Sequence, residues 1–299
     1  MTIKVWERET KRIVKQEIHM AKALWFLYHT RIGRFLFRWV FCSGPAAHIC
    51  GLYMKSPLST GKIHKFLKIH PVNHEIYEKG MNGYVSFNDF FIRKLRDPHK
   101  LVDMDRGRLV SPADSQVLAY DIDEDLIIPV KGSSYTISEL LNADPIWENY
   151  IDGKCLVFRL APHNYHRYCY CDNGRQSDVR TIKGKLHSVN PIAVIDKVKI
   201  YSQNYRQYAV LNTENFGNII QIEIGAMLIG KIRNHHMGAC DVRKGEEKGL
   251  FEYGGSAIIM LIENGCAEID QDILDNSKTG LETAVRYGER IGSIFIAPH

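Results

Sequence analysis

Short apolar runs separated by polar turns characterise the chain from about Leu109 onward. Seven short runs rich in β-branched or aromatic residues are separated there by turns of Asp, Asn and Gly, a pattern typical of β-strands. The runs are VLAYDI, LIIPV, KCLVFRLA, RTIKGKL, YAVLNT, NIIQIEIGAML and SAIIMLI. Helical patterns are predicted over 21–41, 60–69 and 73–79, with shorter ones over 136–142 and 270–282. The sequence therefore predicts an α+β fold, with N-terminal helices followed by a mainly antiparallel β body.

The composition is that of an ordinary globular protein. Of the 299 residues, 45% are hydrophobic and 24% are charged, which excludes disordered, collagen-like and coiled-coil proteins. Seven cysteines are scattered along the chain, and we find no secretory signal before them. We therefore expect a reducing compartment rather than a disulfide-stabilised exterior protein.

Positive charge is concentrated in the first 70 residues, which carry 13 Lys or Arg and 3 Asp or Glu. The remaining residues carry 26 and 31 and are net acidic. Because the basic part is local, it predicts contact with an anionic surface and no general binding of nucleic acid.

The segment Ala21–Phe41 combines aromatic residues with four cations and contains no acid. The cations are Lys22, Arg31, Arg34 and Arg38, and the last three share one face of a helix. No charge-free stretch approaches the ~20 residues of a transmembrane helix. Two interpretations remain: a helix lying in a lipid interface, or a helix packing on the protein's own core. The one-sided charge favours the first, so residues 1–70 are predicted to be a basic, helical, membrane-associating segment.

Three segments of the β-rich part are candidates for chemistry. Asp114 follows a proline turn in VSPADS, and Ser256 follows two glycines in EYGGSA. The third segment contains four potential zinc ligands, His163, His166, Cys169 and Cys171. Their H-x2-H-x2-C-x-C spacing is not that of a standard zinc site, and we expect no metal. Alternatively, His166 is a proton carrier or a hydrogen-bonded structural histidine.

Taken together and in order, these segments resemble the phosphatidylserine decarboxylases. The resemblance covers about residues 80–295 and is closest to the shorter bacterial-type enzymes with a GGS cleavage motif. It is carried by FNDFFIRKL (87–95), VSPADS (110–115), NYHR (164–167), HSVNPIA (187–193), IEIGAMLIGKI (222–232), KGEEKGLFEYGGSA (244–257) and ERIGSI (289–294).

The resemblance implies that residues 71–299 form a pyruvoyl-dependent decarboxylase domain. Ser256 would attack the Gly255 carbonyl, and autocatalytic cleavage would leave chains 1–255 and 256–299 packed as a heterodimer. Whether heterodimers assemble into a higher oligomer stays open. The pyruvoyl group derived from Ser256 would form a Schiff base with the amine of phosphatidylserine and release CO2, giving phosphatidylethanolamine. The enzyme would be peripheral on the cytoplasmic face of the cell membrane.

The resemblance also implies a charge relay of Asp114, His166 and Ser256. Many members have a second histidine in the DYHRxH motif, and this chain has Cys169 at that position. His166 is therefore the favoured base, while Cys169 and His187 are possible substitutes; a Cys169 thiolate requires a neighbour such as Arg167 to lower its pKa. Two other functions stay open: a pyruvoyl decarboxylase of a soluble amino acid, and an unprocessed lipid-binding homologue.

Overall fold

The fold is described by a computed structural model that covers residues 2–18, 21–36, 44–80, 83–123, 128–130, 133–189, 200–228 and 231–295. The strands are β1 Thr2–Glu7, β2 Arg12–Glu17, β3 Arg108–Val110, β4 Ser115–Asp121, β5 Ile128–Val130, β6 Ser133–Tyr135, β7 Lys154–Leu160, β8 Arg167–Cys169, β9 Gly174–Gln176, β10 Arg180–Ile182, β11 Arg206–Thr213, β12 Asn218–Leu228, β13 Ile232–Asn234, β14 Cys240–Val242, β15 Glu247–Phe251, β16 Gly254–Ile262, β17 Ala267–Ile269, β18 Glu282–Val285 and β19 Arg290–Ile294. The helices are α1 Ala21–His29, α2 Arg31–Leu36, α3 Gly44–Lys55, α4 Gly61–Ile69, α5 Phe87–Phe91, α6 Ile137–Leu140, α7 Ile200–Gln203 and α8 Gln271–Lys278.

One large sheet forms the body of the molecule. Its strands follow the order β14-β9-β11-β12-β16-β7-β4-β18-β1-β2, and β10 also pairs with β11. Among the described strands, β1 with β18 is the only parallel pair. The prediction of an α+β fold with a mainly antiparallel β body is confirmed.

Both faces of the large sheet are covered. The two central strands, β7 and β16, alternate their apolar side chains between two buried clusters. Phe158, Leu160 and Ile258 face the small sheet β13-β15-β8, whose Tyr168 belongs to the same cluster. On the opposite face, Val157, Ala257 and Ile259 pack against residues of α6 and α7 that include Leu140 and Ile200. This double burial explains why both strands appear in the sequence as continuous apolar runs.

The chain begins with a hairpin rather than with helices. Strands β1 and β2 pair antiparallel over residues 2–17, and β1 joins the large sheet beside β18. Arg8 fixes the hairpin, because its guanidinium donates to Asp270 at 2.7 Å and Asp272 at 2.8 Å. The expectation that residues 2–17 belong to a helical segment was therefore wrong: their partner strand is about 280 residues away and no local pattern reveals it.

The helical predictions had mixed outcomes. Helices α4, α6 and α8 lie within the predicted ranges. The predicted helix over 73–79 was wrong, since only the 3-10 turn His74–Ile76 forms, capped by the Asn73 side chain. The predicted helix over 21–41 is divided into α1 and α2. Its last residues, including Arg38, and the Arg34 side chain lie outside the described residues.

A third apolar cluster joins the helices to the β body. Met54 of α3 and Phe66 of α4 belong to it, together with Phe87 and Phe90 of α5. Tyr253, just before β16, completes the cluster by packing edge-on against Phe87 at a ring-centroid distance of 5.2 Å. Helices α3 and α4 are thus packed against the chain that leads into Ser256.

Candidate active site

Three sequence-predicted residues lie near the same end of neighbouring inner strands of the large sheet. Strand β7 lies between β4 and β16, and Arg159 is aligned with Gln116 on one side and Ala257 on the other. Asp114 immediately precedes β4, His166 follows the loop after β7, and Ser256 lies near the start of β16. The strand order therefore brings together residues that are 142 positions apart in the sequence.

Ser256 is buried and its hydroxyl has no partner. It is opposite Gly225 of β12 and Leu160 of β7, and its side chain shares the sheet face of Leu160 and Ile258, the face covered by β8 and β15. The residue is 0% exposed, and its Oγ makes no hydrogen bond within the described part of the chain. Because nearly all buried polar groups are hydrogen-bonded, this hydroxyl requires an explanation.

The backbone beside Ser256 is irregular. Gly254 has φ +149°, a conformation that favours glycine. Strand β12 carries a bulge at the same place, because two of its residues between Gly225 and Leu228 are opposite the single residue Gly255. The predicted scissile junction, Gly255–Ser256, therefore lies at an irregularity in the centre of the sheet, where bulges are often found next to active sites.

His166 is fully buried and carries a lone pair that no group uses. Its Nδ1 lies 2.9 Å from the Asn164 carbonyl oxygen, which can only accept, so Nδ1 carries the proton and Nε2 carries the lone pair. Nε2 has no hydrogen-bond partner among the described residues. Burial, and then the charge of Arg93, lower the pKa of His166 well below its usual value, so the ring is neutral at physiological pH. A neutral, correctly protonated imidazole can accept a proton from a serine hydroxyl.

Asp114 holds the chain segment that carries His166. Its Oδ2 accepts a hydrogen bond from the Tyr165 peptide N–H at 3.3 Å, and its Oδ1 accepts one from the Tyr287 peptide N–H at 2.7 Å. Desolvation raises the pKa of Asp114, although these two donors and Arg93 act in the opposite direction. The predicted relay pairs this carboxylate with an imidazole, whereas here its hydrogen bonds go to peptide groups and orient His166 through its neighbour.

Cys169 is a buried thiol. Its Sγ lies 3.8 Å from the Ser111 carbonyl oxygen, to which it donates, and burial raises its pKa to about 12. Arg167 is engaged elsewhere, because it pairs with Glu247 at 2.8 Å and donates to the Ile92 carbonyl. The condition for a Cys169 thiolate, a cation that lowers its pKa, is not provided by Arg167.

His187 is connected to the site through Asn204. The Asn204 Oδ1 accepts from the His187 peptide N–H, and its Nδ2 donates to the carbonyls of His187 and Gly225, each at 2.8 Å. Gly225 is the residue opposite Ser256. Burial lowers the pKa of His187 to about 4, so this imidazole is also neutral at physiological pH. Its position beside the site keeps it a possible substitute base.

Sequence reasoning missed several residues that shape the site. Phe91 covers the His166 ring at a centroid distance of 3.9 Å. The Asn88 Oδ1 accepts the Tyr253 peptide N–H at 3.0 Å and so fixes the chain three residues before Ser256. Both belong to the FNDFF motif, whose S-x-x-D start is a capping pattern: the Ser86 hydroxyl accepts from the Asp89 N–H. That pattern reveals the helix but not what the helix contacts.

Among the described residues, no three His, Cys, Asp or Glu side chains are grouped so that they could hold a metal ion. Within the same part of the chain, no helix is both long and apolar enough to cross a bilayer.

Comparison with known proteins agrees with the motifs. A family model described as phosphatidylserine decarboxylase matches residues 87–293. The chain is 40% identical over 292 residues to phosphatidylserine decarboxylase proenzyme 2 of Clostridium acetobutylicum, covering 98% of this chain and 99% of that protein. It is 39% identical over 294 residues to the phosphatidylserine decarboxylase proenzyme of Clostridium tetani, with 98% and 99% coverage. The proenzyme of Desulfitobacterium hafniense is 34% identical, with 97% and 98% coverage.

This chain aligns with nearly the whole length of these relatives. The similarity therefore extends through the N-terminal helices as well as the β body. The family model begins at Phe87 of α5 and ends within β19, and this range contains Asp114, His166 and Ser256. The chain belongs to the phosphatidylserine decarboxylase family.

Proposed function

We propose that the chain is the precursor of a phosphatidylserine decarboxylase that cleaves itself between Gly255 and Ser256 and then converts phosphatidylserine to phosphatidylethanolamine and CO2. The observation that carries the proposal is the buried Ser256 hydroxyl, which has no hydrogen-bond partner and lies beside two glycines at a bulge. Its sheet face is covered by the small sheet, and the neutral His166 immediately precedes strand β8 of that sheet.

Cleavage begins when the Ser256 Oγ attacks the Gly255 carbonyl carbon and His166 Nε2 accepts the hydroxyl proton. The peptide C–N bond breaks as the nitrogen takes up a proton, and an ester to the Ser256 side chain remains. Loss of the Cα proton then expels the Gly255 carboxylate from Cβ and leaves dehydroalanine. Water hydrolyses the imine form of that residue, ammonia leaves, and residue 256 becomes a pyruvoyl group at the start of the short chain.

The surroundings of Ser256 fit a pyruvoyl group. The neighbours across the sheet are Gly225, which has no side chain, and the apolar Leu160, so a flat ketone displaces nothing charged. When present, the group supplies an electron sink for the electron pair that remains when CO2 leaves. The chain's own contribution is to exclude water with Phe91 and Tyr253 and to hold His166 where a proton is moved.

The two chains would stay together as a heterodimer. Strand β16 pairs with β12 on one side and β7 on the other, and its residues from Ala257 to Ile262 are fully buried. Each buried aliphatic side chain contributes about 1.5 to 3 kcal/mol, so removal of β16 from the sheet is strongly opposed.

The N-terminal helices would place the site at an anionic membrane. Aromatic side chains on α1 and α2 remain exposed, with Trp25 at 46% and Phe35 at 62%. Lys22 and Arg31 are exposed on the same helices. Exposed aromatic residues beside cations favour binding in the interface of a bilayer that contains anionic lipids. Such lipids are concentrated in the cytoplasmic leaflet, so we place the enzyme on the cytoplasmic face of the cell membrane.

The cleavage test uses intact mass and denaturing electrophoresis of the purified protein. We expect chains of 255 and 44 residues, the shorter one blocked by a carbonyl group that reacts with hydroxylamine. Ser256→Ala should remain a single chain, whereas the control Ser293→Ala, in the same short chain, should cleave like the wild type. Wild-type protein that stays continuous after prolonged incubation would refute self-cleavage and favour an unprocessed lipid-binding homologue.

The substrate test measures conversion of phosphatidylserine to phosphatidylethanolamine in vesicles and of free serine to ethanolamine in solution. Conversion of the lipid alone supports the proposal, whereas faster conversion of serine assigns a soluble substrate.

Membrane binding is tested by sedimentation with vesicles that contain phosphatidylserine. Trp25→Ala and Phe35→Ala should each weaken binding about fivefold to tenfold, and Leu101→Ala, an exposed residue outside the basic segment, should not.

A further inference from the structure

Arg93 is a buried cation next to the site. It follows α5 and is 3% exposed, with its guanidinium packed against the rings of Tyr77 and Phe90 at 4.9 and 5.2 Å. Its Nη2 donates to the carbonyl oxygens of His163 and Asn164 at 2.9 and 3.1 Å. The proposed self-cleavage does not use Arg93, which is neither its nucleophile nor its proton acceptor.

Arg93 is also close to His166, because both donate to the same oxygen. The Asn164 carbonyl accepts from Arg93 Nη2 at 3.1 Å and from His166 Nδ1 at 2.9 Å. The two nitrogens therefore lie within about 6 Å of each other, the limit set by the two hydrogen-bond lengths. The charge of Arg93 also lowers the pKa values of both His166 and Asp114, which places the cation within electrostatic reach of both.

The guanidinium has donors that nothing in the described part of the chain satisfies. Its Nε and Nη1 are buried and make no hydrogen bond there. A buried donor without a hydrogen-bond partner is costly, so a buried arginine with two unused donor nitrogens is suited to an anion that arrives from outside. Arginine binds phosphate and carboxylate groups with several parallel hydrogen bonds.

The substrate of the proposed function offers two anions, its carboxylate and its phosphodiester. An ion pair with the carboxylate would oppose the reaction, because this charge is lost when CO2 leaves and the ground state would be stabilised more than the transition state. The phosphodiester keeps its charge throughout, so its binding holds the head group without opposing decarboxylation. Of the two anions, the phosphodiester is therefore the one that Arg93 can bind without slowing the loss of CO2.

We infer that Arg93 binds the phosphodiester of the phospholipid head group and so orients the amine of that head group toward residue 256. The inference rests on the proposed function. It assigns Arg93 a role in substrate binding, and predicts that head groups without a phosphodiester bind the cleaved enzyme poorly.

The test compares inhibitors of the cleaved enzyme acting on a short-chain phosphatidylserine. Glycerophosphoethanolamine carries the phosphodiester, and ethanolamine does not. We expect the wild type to bind glycerophosphoethanolamine at least about tenfold more tightly than ethanolamine, because one or two charged hydrogen bonds contribute that much. Arg93→Gln should lose this preference and raise KM about tenfold while kcat changes little, and Arg93→Lys should keep part of the preference.

Arg96→Gln is the matched control, because Arg96 is exposed and donates to the Tyr77 carbonyl at 2.8 Å. It should keep the wild-type preference. Glycerophosphoserine adds the carboxylate: if Arg93→Gln weakens binding of this compound but not of glycerophosphoethanolamine, the carboxylate is the ligand and the inference is wrong. It is equally wrong if Arg93→Gln keeps the preference, or if neither Arg93 variant cleaves, which would make Arg93 a folding residue. A wild type that does not cleave refutes the proposed function instead.

Discussion

Lys248 and Glu223 form an ion pair inside the protein. Its disruption tests how much this buried pair contributes to the stability of the core beside the site. The Lys248 Nζ lies 2.6 Å from a Glu223 carboxylate oxygen, and both side chains are 0% exposed. Asn234 also contacts both groups: its Oδ1 accepts from Lys248 at 3.3 Å and its Nδ2 donates to Glu223 at 3.4 Å. The pair therefore lies between β12 and the small sheet that covers Ser256.

Lys248→Met removes the cation and leaves a buried carboxylate whose remaining donors, within the described ranges, are the amides of Gln221 and Asn234. Removal of one partner of a buried ion pair costs about 3 to 5 kcal/mol. For a chain of this size each kcal/mol corresponds to about 2 °C, so Tm should fall by about 6 to 10 °C. The double variant Lys248→Met/Glu223→Gln leaves no charge at either of these two positions, so it should be more stable than Lys248→Met alone.

The measurement is thermal unfolding followed by calorimetry in the Ser256→Ala background, so that chain cleavage does not change the species that unfolds. Lys100→Met is the control, because the Lys100–Asp97 pair is exposed and such pairs contribute little. A Tm for Lys248→Met within 2 °C of its parent would refute the reasoning. So would a double variant as unstable as the sum of the two single variants, because the two groups would then be uncoupled.

Three further predictions concern the site and helix α3, which packs beside it. Cys169→Ser should cleave at a rate within about twofold of the wild type, because the buried thiol is protonated; a loss of tenfold or more on gels would make Cys169 the base. The cleavage rate should stay constant from about pH 8 to 6.5 and decline only at lower pH, because the pKa of His166 is depressed and its neutral form is the base; a rate that halves near pH 6.5 would contradict this. Lys55→Met should increase hydrogen exchange in α3, since Lys55 pairs with the buried Glu252 at 2.7 Å; unchanged exchange would show that apolar packing alone holds α3.

The central strands could be predicted from the sequence because their environment is uniform. Strands β7, β12 and β16 are buried on both faces, so the runs KCLVFRLA, NIIQIEIGAML and SAIIMLI carry an unambiguous signal. The hairpin over residues 2–17 also alternates, as TIKVWE and RIVKQE show. Because residues 1–70 are basic, the hairpin was assigned to the predicted membrane-associating segment instead. Its place in the sheet depends on β18, which is far away in the sequence.

The candidate site was predictable in its residues and not in its arrangement. The motifs indicated Asp114, His166 and Ser256, but their proximity depends on the order β4-β7-β16, which sequence patterns do not contain. The contacts of Asp114 with peptide groups, and the burial that keeps Cys169 protonated, depend on the same packing. Arg93 is indistinguishable in the sequence from the exposed Arg96 three residues later, because only the structure shows which one is buried.

The packing of the helices decides how the proposed membrane contact should be tested. Met54 and Phe66 share a cluster with Phe87 and Tyr253, and α5 also carries Phe91, whose ring covers His166. Deletion of residues 1–70 would remove several buried side chains from this cluster, at about 1.5 to 3 kcal/mol each, and uncover the chain before Ser256. Lost lipid turnover in such a deletion would therefore reflect damage to the site. Substitutions of the exposed aromatic residues of α1 and α2 leave the cluster intact, so only they separate membrane binding from catalysis.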